Sequence, residues 1–237
     1  MSMYKIFEMK NSILNVKIKM KYLLILLLIL FLIMFVVIVL GSNGSNIRLA
    51  DCCDNVGTDK NTFHSYLDVY EQLFSRRRES ARYVLEVGIG PPPENGGSIK
   101  MWAKYFPNAQ IHAMDIIPIE QVSCREIILH PRVFLHTSVD AYDPLIVTNK
   151  FTSKSLKFDI LIDDGPHTLE SMVQFLKLYL PLLADKGVLV IEDIQEMDWI
   201  NELKAVVPRD QQSLIKVFDR RNVKGRYDDI MFVIDRA

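Results

Sequence analysis

The sequence predicts an α/β fold built on a mostly parallel sheet. Two uncharged apolar runs, Ile160–Ile162 and Val188–Ile191, have the length and composition of strands that are buried on both faces. Between them, the residues from Thr168 to Leu183 repeat apolar side chains at helical spacing, and Lys186-Gly187 closes the segment. A strand, a helix and a second strand in this order predict a right-handed parallel crossover.

Both predicted strands end in acidic side chains. Asp163 and Asp164 follow the first strand, and His167 comes three residues after Asp164. Glu192 and Asp193 follow the second strand. Ligands of parallel sheets bind at the carboxyl ends of the strands, so neighbouring strands would bring these five side chains into one cleft. Carboxylate oxygens suit Mg²⁺ better than Zn²⁺. A solvated loop start or a helix cap is the alternative for any one of the five.

An earlier strand, Tyr83 to Gly90, ends in a Gly-x-Gly turn formed by Gly88 and Gly90. Glycine at these positions allows the backbone to approach a ligand closely. The turn is followed by Pro91-Pro92-Pro93 and not by the third glycine of the dinucleotide-binding fingerprint. The pattern therefore indicates a ligand other than a pyrophosphate.

The next two strands contribute further acids. Ala109 to Met114 is predicted as a strand that ends at Asp115, roughly 25 residues beyond the glycine turn, where an acid can accept hydrogen bonds from two ribose hydroxyls. A nicotinamide ligand and an adenosyl ligand would both use it. Val133 to Ser138 is predicted as the following strand, and Asp140 at its end is placed to border an adenine ring.

The last part of the chain predicts an antiparallel addition to the sheet. Met197 to Val207 has the pattern of a helix. Ser213 to Phe218 and Asp229 to Ile234 read as strands, and the turn-rich stretch Asn222 to Arg226 joins them as a hairpin. The predicted fold class is thus a Rossmann-like α/β sheet, mostly parallel with a terminal antiparallel hairpin, preceded by one transmembrane helix.

That transmembrane helix comes from the first part of the chain. Residues 1–21 form a basic tail, residues 22–40 an unbroken uncharged apolar stretch long enough to cross a bilayer, residues 41–50 a linker and residues 51–237 the domain. The length of the stretch favours a membrane anchor over a cleaved signal peptide, which is the alternative. Five lysines precede it, so the positive-inside rule predicts a single-pass protein with a cytoplasmic amino terminus and a domain in the lumen or outside the cell.

Composition excludes some classes of function. The chain has 28 Lys and Arg against 29 Asp and Glu, a net charge of −1, which leaves no electrostatic footprint for nucleic acid. The adjacent Cys52 and Cys53 and the distant Cys124 fit neither a zinc site nor a disulfide framework.

In their order along the chain, these motifs resemble the class I S-adenosylmethionine-dependent methyltransferases. Within that class the chain is similar to the metal-dependent sugar O-methyltransferases of the macrocin and mycinamicin type, over residues 57–234. The residues that carry the resemblance are Gly57–Lys60, His64, Tyr66, Leu85–Gly90, Gly96–Trp102, Tyr105–Ile111, Asp115, Asp163–His167 and Ile191–Asp193. Pro91–Pro93 and Pro166 depart from the pattern of that group, as does the apolar stretch.

The resemblance implies a methyl transfer from S-adenosylmethionine to a hydroxyl of a sugar or polyhydroxylated small molecule, assisted by Mg²⁺. The cofactor-binding residues predicted in this way and from the strand ends are Glu86, Gly88, Gly90, Asp115, Asp140, Asp163, Thr58, Lys60 and Tyr66. The implied metal ligands are Asp164, Glu192 and Asp193. His167 is the implied general base, and a residue that merely precedes the helix from Thr168 is the alternative.

The implied chemistry is an in-line displacement. A neutral hydroxyl is a poor nucleophile, so the enzyme must aim it at the sulfonium methyl and remove its proton. A carboxylate-bound Mg²⁺ stabilises the forming alkoxide, and an imidazole titrates near neutral pH. Two other functions compete with this one. They are a membrane-tethered, catalytically silent binding module of the same fold, and a nicotinamide-dependent oxidoreductase, which should show a third glycine and a Tyr-x-x-x-Lys pair.

Overall fold

The computed structural model describes residues 20–34 and 47–236. The chain divides into two units, Met1–Asn46 and Ile47–Ala237. In the first unit, residues 20–34 form a helix, α1. No helix within the described residues is both long enough and apolar enough to cross a bilayer. Residues 35–40 of the predicted membrane segment lie outside the described residues, as do residues 1–19 of the basic tail and residues 41–46 of the linker.

The second unit contains a seven-stranded sheet with the strand order β3-β2-β1-β4-β5-β7-β6. Strands β1 to β5 run parallel to one another, and β7 runs antiparallel to both of its neighbours. The predicted parallel sheet with a terminal antiparallel hairpin is therefore confirmed. The strands are β1 Tyr83–Val87, β2 Gln110–Met114, β3 Val133–His136, β4 Phe158–Asp163, β5 Leu183–Ile191, β6 Ile215–Asp219 and β7 Ile230–Asp235.

Helices cover both faces of this sheet. The α-helices are α2 Leu49–Cys52, α3 Leu67–Phe74, α4 Gly97–Tyr105, α5 Arg125–Ile128, α6 Pro144–Lys150, α7 Leu169–Tyr179, α8 Trp199–Val206 and α9 Arg221–Lys224. Short 3₁₀ segments occupy Ser75–Arg77, Ile119–Gln121, Thr152–Lys154, Leu180–Leu182 and Arg209–Leu214.

Alternation along the strands produces two hydrophobic cores. Val84 and Ile160 face the core formed with α2 to α5. Leu85 and Leu161 face the core formed with α6 to α8. All four side chains are fully buried, because a parallel sheet between two helical layers has no solvated face.

The element boundaries differ from the predicted ones, most notably at three places. The folded unit includes residues 47–50 of the predicted linker, because Leu49 is fully buried in the core. The predicted long helix ends at Tyr179, and β5 then begins at Leu183, so that Gly187 lies inside the strand. A Cβ on Gly187 would lie 3.0 Å from the backbone oxygen of Phe158, beside a register shift in the β4–β5 pair. The hairpin turn contains the short helix α9.

Candidate functional site

The carboxyl ends of three central strands meet at one cavity. Val87 of β1 pairs with Asp163 of β4, which pairs in turn with Ile191 of β5. A cavity of about 1210 Å³ opens over these ends. The predicted site residues that line it are Thr58, Gly88, Gly90, Asp115, Asp140, Asp164, His167 and Asp193. The predicted site residues that lie behind its wall are Lys60, Tyr66, Glu86, Asp163 and Glu192, all of which are buried.

The glycine turn after β1 is fixed by Asp115 from the end of β2. Gly88 and Gly90 have φ values of +105° and +97°, a region that favours glycine. Oδ2 of Asp115 accepts hydrogen bonds from the backbone amides of Ile89 at 2.7 Å and Gly90 at 3.3 Å. The predicted pairing of this acid with the turn is therefore present in the fold, and its carboxylate also borders the cavity.

Asn95 is a second support of the turn, which sequence reasoning missed. Its side chain is 2% exposed, and its amide nitrogen donates to the backbone oxygens of Gly90 at 3.0 Å and Gln121 at 3.1 Å. An asparagine directly before Gly96-Gly97 is a recognisable turn signal. The partners of its side chain, however, come from other segments and leave no local pattern.

Asp164, His167 and Asp193 form a cluster on the cavity wall. Their potential ligand atoms all lie within 4.8 Å of one another. Nε2 of His167 is 3.8 Å from Oδ1 of Asp164 and 3.6 Å from Oδ2 of Asp193. His167 and Asp193 have φ values of +53° and +55°, and such strained non-glycine residues are common at functional sites. The predicted base and two of the predicted metal ligands are thus brought together.

Tyr66 does not reach the cavity, contrary to the prediction that it binds the cofactor. Its ring is fully buried in the core, and its hydroxyl donates to Oδ1 of Asp193 at 2.5 Å. Nδ1 of His64 lies 3.3 Å from the same oxygen and 2.6 Å from Oδ1 of Asp229. Burial opposes protonation of His64, but the carboxylates of Asp193, Asp229 and Asp59 raise its pKa. The buried side chains of Tyr66 and His64 therefore both contact Oδ1 of Asp193.

Lys60 also lies behind the wall and not in the predicted cofactor site. Its side chain is 1% exposed, and its Nζ lies 2.6 Å from Oε2 of Glu192, 2.7 Å from Oδ2 of Asp164 and 3.2 Å from Oε1 of Glu86. Burial disfavours the ammonium, but the three carboxylates outweigh that effect and raise the pKa of Lys60. Lys60 is therefore a buried cation among three acids.

Glu86 and Glu192 are turned toward this lysine and away from the cavity, which differs from their predicted roles. Glu86 accepts a second bond at 2.7 Å from Nε1 of Trp102, and the Tyr70 hydroxyl donates to the second oxygen of Glu192. Burial raises the pKa of both glutamates to about 7, and the ammonium of Lys60 opposes the shift. Neither Tyr70 nor Trp102 was predicted from the sequence as a site residue.

Asp163 acts through a residue that the sequence did not indicate. It is 3% exposed, and its Oδ1 accepts a hydrogen bond at 2.5 Å from the hydroxyl of Tyr142, which lines the cavity. Burial raises the pKa of Asp163 to about 8, while the hydrogen bond from Tyr142 opposes the shift. Asp163 is therefore bonded to a residue of the cavity wall and does not itself line the cavity, contrary to its predicted place in the cofactor site.

The cavity wall is strongly acidic. Among the described residues that line it there is neither a lysine nor an arginine. The seven carboxylate side chains of the wall are those of Asp59, Glu94, Asp115, Asp140, Asp164, Glu170 and Asp193. A low-dielectric cleft lined by one sign of charge attracts ligands of the opposite sign, so this cavity favours cations and disfavours anions.

Comparisons with known proteins agree with this fold and sequence pattern. No protein-family model matches the chain. It is 35% identical over 147 residues to the 8-demethyl-8-alpha-L-rhamnosyl tetracenomycin-C 2'-O-methyltransferase of Streptomyces olivaceus, a match covering 60% of this chain and 36% of that protein. It is 32% identical over 143 residues to the demethylmacrocin O-methyltransferase of Streptomyces fradiae, covering 58% of this chain and 34% of that protein.

Among solved structures, the chain resembles the MycE methyltransferase of the mycinamycin biosynthetic pathway, solved in complex with Mg, SAH and mycinamycin VI. The TM-score is 0.63 at 21% identity, covering 81% of this chain and 54% of that one. The similarities confirm the class I methyltransferase fold and the relationship to the macrocin and mycinamicin type. The chain spans about a third of the length of the curated relatives it matches.

Proposed function

We propose that this chain, which has the class I methyltransferase fold and is related to sugar O-methyltransferases, transfers a methyl group from S-adenosylmethionine to a sugar hydroxyl. One observation carries the proposal. The glycine turn with Asp115 and the cluster of Asp164, His167 and Asp193 border the same cavity. We call the part of the cavity at the glycine turn and Asp115 the cofactor half, and the part at Asp164, His167 and Asp193 the acceptor half. The two halves are adjacent, as a single displacement requires.

The cofactor half is built from backbone and carboxylates. The turn at Gly88 and Gly90 offers a surface without side chains. Oδ2 of Asp115 accepts two backbone bonds and Oδ1 accepts one from the amide of Ile117, so that Oδ1 retains a lone pair for a ribose hydroxyl. Asp140 from the end of β3 would border the adenine, and Thr58 also lines the cavity. The acidic wall suits the cationic sulfonium, whereas the pyrophosphate of a nicotinamide dinucleotide would meet no basic side chain.

The relatives imply Mg²⁺ at the acceptor half, and the donor set fits it. Asp164 and Asp193 each direct one carboxylate oxygen toward His167 at the cavity wall, and Mg²⁺ is typically bound by one or two carboxylates with water and substrate oxygens. When bound, the ion would supply positive charge beside the acceptor oxygen as that oxygen loses its proton.

His167 is the group suited to remove that proton. Its imidazole is about one third exposed, so it is accessible from the cavity, and it lies beside both carboxylates. From this position it can accept the proton of a hydroxyl bound in the cavity. The acceptor oxygen, which has given its proton to His167, then attacks the methyl carbon in line with the bond from that carbon to the sulfonium sulfur. That bond breaks, and S-adenosylhomocysteine leaves as a neutral thioether. Tyr142, held by Asp163, would flank the reacting groups.

The acceptor class follows from the charge of the wall and from the relatives. A carboxylated or phosphorylated acceptor would be repelled by the seven carboxylates, so a neutral or cationic sugar is favoured. The first relative named above acts, by its name, on a rhamnosyl group.

A labelled methyl group tests this function. The chain of residues 1–237 is incubated with methyl-labelled S-adenosylmethionine and a panel of neutral glycosides that includes rhamnosides, with and without MgCl₂. We expect label in a glycoside only with Mg²⁺. Asp193→Asn should abolish it, and Asp198→Asn, an exposed acid at the start of α8, should not. Bound S-adenosylhomocysteine without any transfer would instead support a catalytically silent module.

We also propose that residues 22–40 anchor the chain in a membrane with the amino terminus cytoplasmic, as the preceding lysines suggest. A glycosylation acceptor in an extended linker after residue 41 should be modified in a eukaryotic host. Release of the chain by alkaline carbonate would contradict the anchor. An unmodified, tightly bound chain would place the domain in the cytoplasm.

A further inference from the structure

We propose that a surface beside the cavity, formed by Phe63, Arg226 and Tyr227, binds a flat aromatic aglycone of the acceptor. We call this surface the aromatic rim. Its three residues lie outside the cavity wall. The inference rests on the proposed function, in which the sugar occupies the acceptor half, and it adds what that sugar is attached to. The acceptor class it assigns is an aryl glycoside.

The sheet places the aromatic rim next to the acceptor half. Strand β7 runs antiparallel to β5, and Ile191 at the end of β5 pairs with Phe232 near the start of β7. The turn before β7, which carries two residues of the aromatic rim, therefore lies at the same end of the sheet as Asp193. In the strand order, the turn also lies on the side of β5 that faces away from the glycine turn after β1. A ligand that extends from the acceptor half away from the cofactor half thus passes toward the aromatic rim.

The third residue of the aromatic rim, Phe63, is connected to the cavity through the loop before α3. The backbone oxygen of Asp59, a residue of the cavity wall, accepts a hydrogen bond from the amide of Phe63 at 2.9 Å. The ring of Phe63 packs edge-on against that of His64, with 5.4 Å between the centroids. Nδ1 of His64 in turn lies 3.3 Å from Oδ1 of Asp193. Phe63 therefore contacts a side chain that itself contacts the acceptor half.

The chemistry of the aromatic rim favours a flat π-system. The guanidinium carbon of Arg226 lies 3.7 Å from the centroid of the Phe63 ring and 5.7 Å from that of the Tyr227 ring. The two aromatic residues are 50% and 61% exposed. Grouped apolar side chains in solvent are typical of binding surfaces. Because aromatic rings and guanidinium groups both stack on aromatic faces, this surface suits an aromatic aglycone better than a saturated one.

Charged groups hold the aromatic rim in place. Nη2 of Arg226 donates to Oδ2 of Asp228 at 2.9 Å, so the charge of the guanidinium is balanced. Nζ of Lys224 donates to the backbone oxygens of His64 at 2.7 Å and Thr62 at 3.3 Å, which joins the turn before β7 to the loop before α3. A ligand that stacks on a surface already held in this way has to order few side chains, which favours binding.

The test compares two acceptors that differ only in the aglycone. The chain of residues 1–237 receives S-adenosylmethionine, MgCl₂ and α-L-rhamnose, either as the methyl glycoside or as the 2-naphthyl glycoside. We expect the KM of the 2-naphthyl glycoside to be lower by about tenfold or more at a similar kcat, because the aglycone adds binding far from the reacting atoms.

Two variants identify the surface that binds the aglycone. Phe63→Leu and Tyr227→Leu keep an apolar side chain and lose the ring. Each should raise the KM of the 2-naphthyl glycoside by about threefold or more and leave that of the methyl glycoside unchanged. General damage to the site would change both KM values. Phe134→Leu is the matched control, because Phe134 is also exposed but lies on β3, at the other side of the sheet. It should change neither KM.

The outcomes separate this inference from the proposed function. Equal KM values of the two glycosides with the unaltered chain, or an equal change of both in Phe63→Leu, would overturn the inference and leave the proposed function standing. If neither glycoside is methylated, the proposed function is contradicted for this sugar, and calorimetry decides the inference. The 2-naphthyl glycoside should then bind the unaltered chain more tightly than Phe63→Leu, whereas equal Kd values would overturn the inference.

Discussion

A Cβ atom on Gly88 would lie 2.0 Å from the backbone oxygen of Asp164. The amide of Asp164 also donates to the backbone oxygen of Val87 at 2.9 Å. The glycine turn after β1 and the acidic loop after β4 therefore pack directly against each other. The surface proposed for the cofactor and the residues proposed for the metal are parts of one rigid wall.

We predict that Gly88→Ala disrupts both parts of this wall. The methyl group would meet backbone that cannot move aside, and φ at this position is +105°. Gly225→Ala is the matched control, because its φ of +72° is also unfavourable but the space around it is open. In thermal unfolding, the control should lose about 1 kcal/mol and Gly88→Ala at least about 2 kcal/mol more. Equal losses would mean that the Gly88–Asp164 contact is not tight.

Asp115→Ala should weaken S-adenosylhomocysteine binding by about 1–3 kcal/mol, because it removes the acceptor for the ribose and the anchor of Ile89 and Gly90. The affinity is measured by calorimetry on the chain of residues 1–237. Asp143→Ala removes the N-cap of α6, a carboxylate that does not line the cavity, and is the control. Unchanged affinity of the Asp115 variant would remove this residue from the proposed site.

His167→Ala separates binding from turnover. Because His167 is proposed as a base and not as a ligand, the variant should bind S-adenosylhomocysteine and Mg²⁺ as before. The rate of methyl transfer should fall by about 10²–10⁴, the usual contribution of a general base. Excess MgCl₂ should not restore the rate. A normal rate on an acceptor that the unaltered chain methylates would reduce His167 to a helix-start residue.

The stability of the fold should respond to pH through a histidine pair between β2 and β3. Nδ1 of His112 lies 3.1 Å from Nε2 of His136. Burial lowers the pKa of both to about 4, and Lys154 and Lys150 add to the effect. The folded state therefore resists protons that the unfolded chain accepts. The two neutral histidines therefore contribute to the free energy of unfolding. This contribution is complete above the ordinary histidine pKa of about 6.5 and is lost as the pH falls toward 4.

His112→Gln isolates this contribution from the acids whose pKa is raised. The stability of the unaltered chain relative to the variant should decrease by about 1–3 kcal/mol between pH 7.5 and pH 4.5, as measured by denaturant unfolding. His130→Gln, in the loop before β3, is the comparison: burial and Arg132 also lower the pKa of His130, so its difference should depend on pH with the same sign but less strongly than that of the more buried His112. A pH-independent difference between the unaltered chain and His112→Gln would contradict the depressed pKa.

The sequence predicted the sheet and the cavity wall well, because both depend on local patterns. Strand runs that end in acid are visible directly, and their parallel pairing brought Asp164, His167 and Asp193 together as expected. The position of Asp115 relative to the glycine turn was predicted from the order of strands alone. Each of these features follows from strand polarity and from the general location of ligands in parallel sheets.

The groups behind the wall could not be predicted in the same way. Lys60 meets Glu192 across 132 positions of sequence, and Tyr66 meets Asp193 across 127. Such contacts depend on how α3 and its preceding loop pack on the sheet, which no local pattern encodes. The direction of a carboxylate side chain at a strand end is also decided by its buried partners. For this reason Glu192, adjacent in sequence to Asp193, turns the other way.

Calorimetric titration of the chain of residues 1–237 with S-adenosylhomocysteine, and separately with NAD, tests the central claim most directly. The account predicts one molecule of S-adenosylhomocysteine bound per chain, no binding of NAD, and loss of the S-adenosylhomocysteine signal in Gly88→Ala. Binding of NAD, or the absence of S-adenosylhomocysteine binding by the folded chain, would contradict the account.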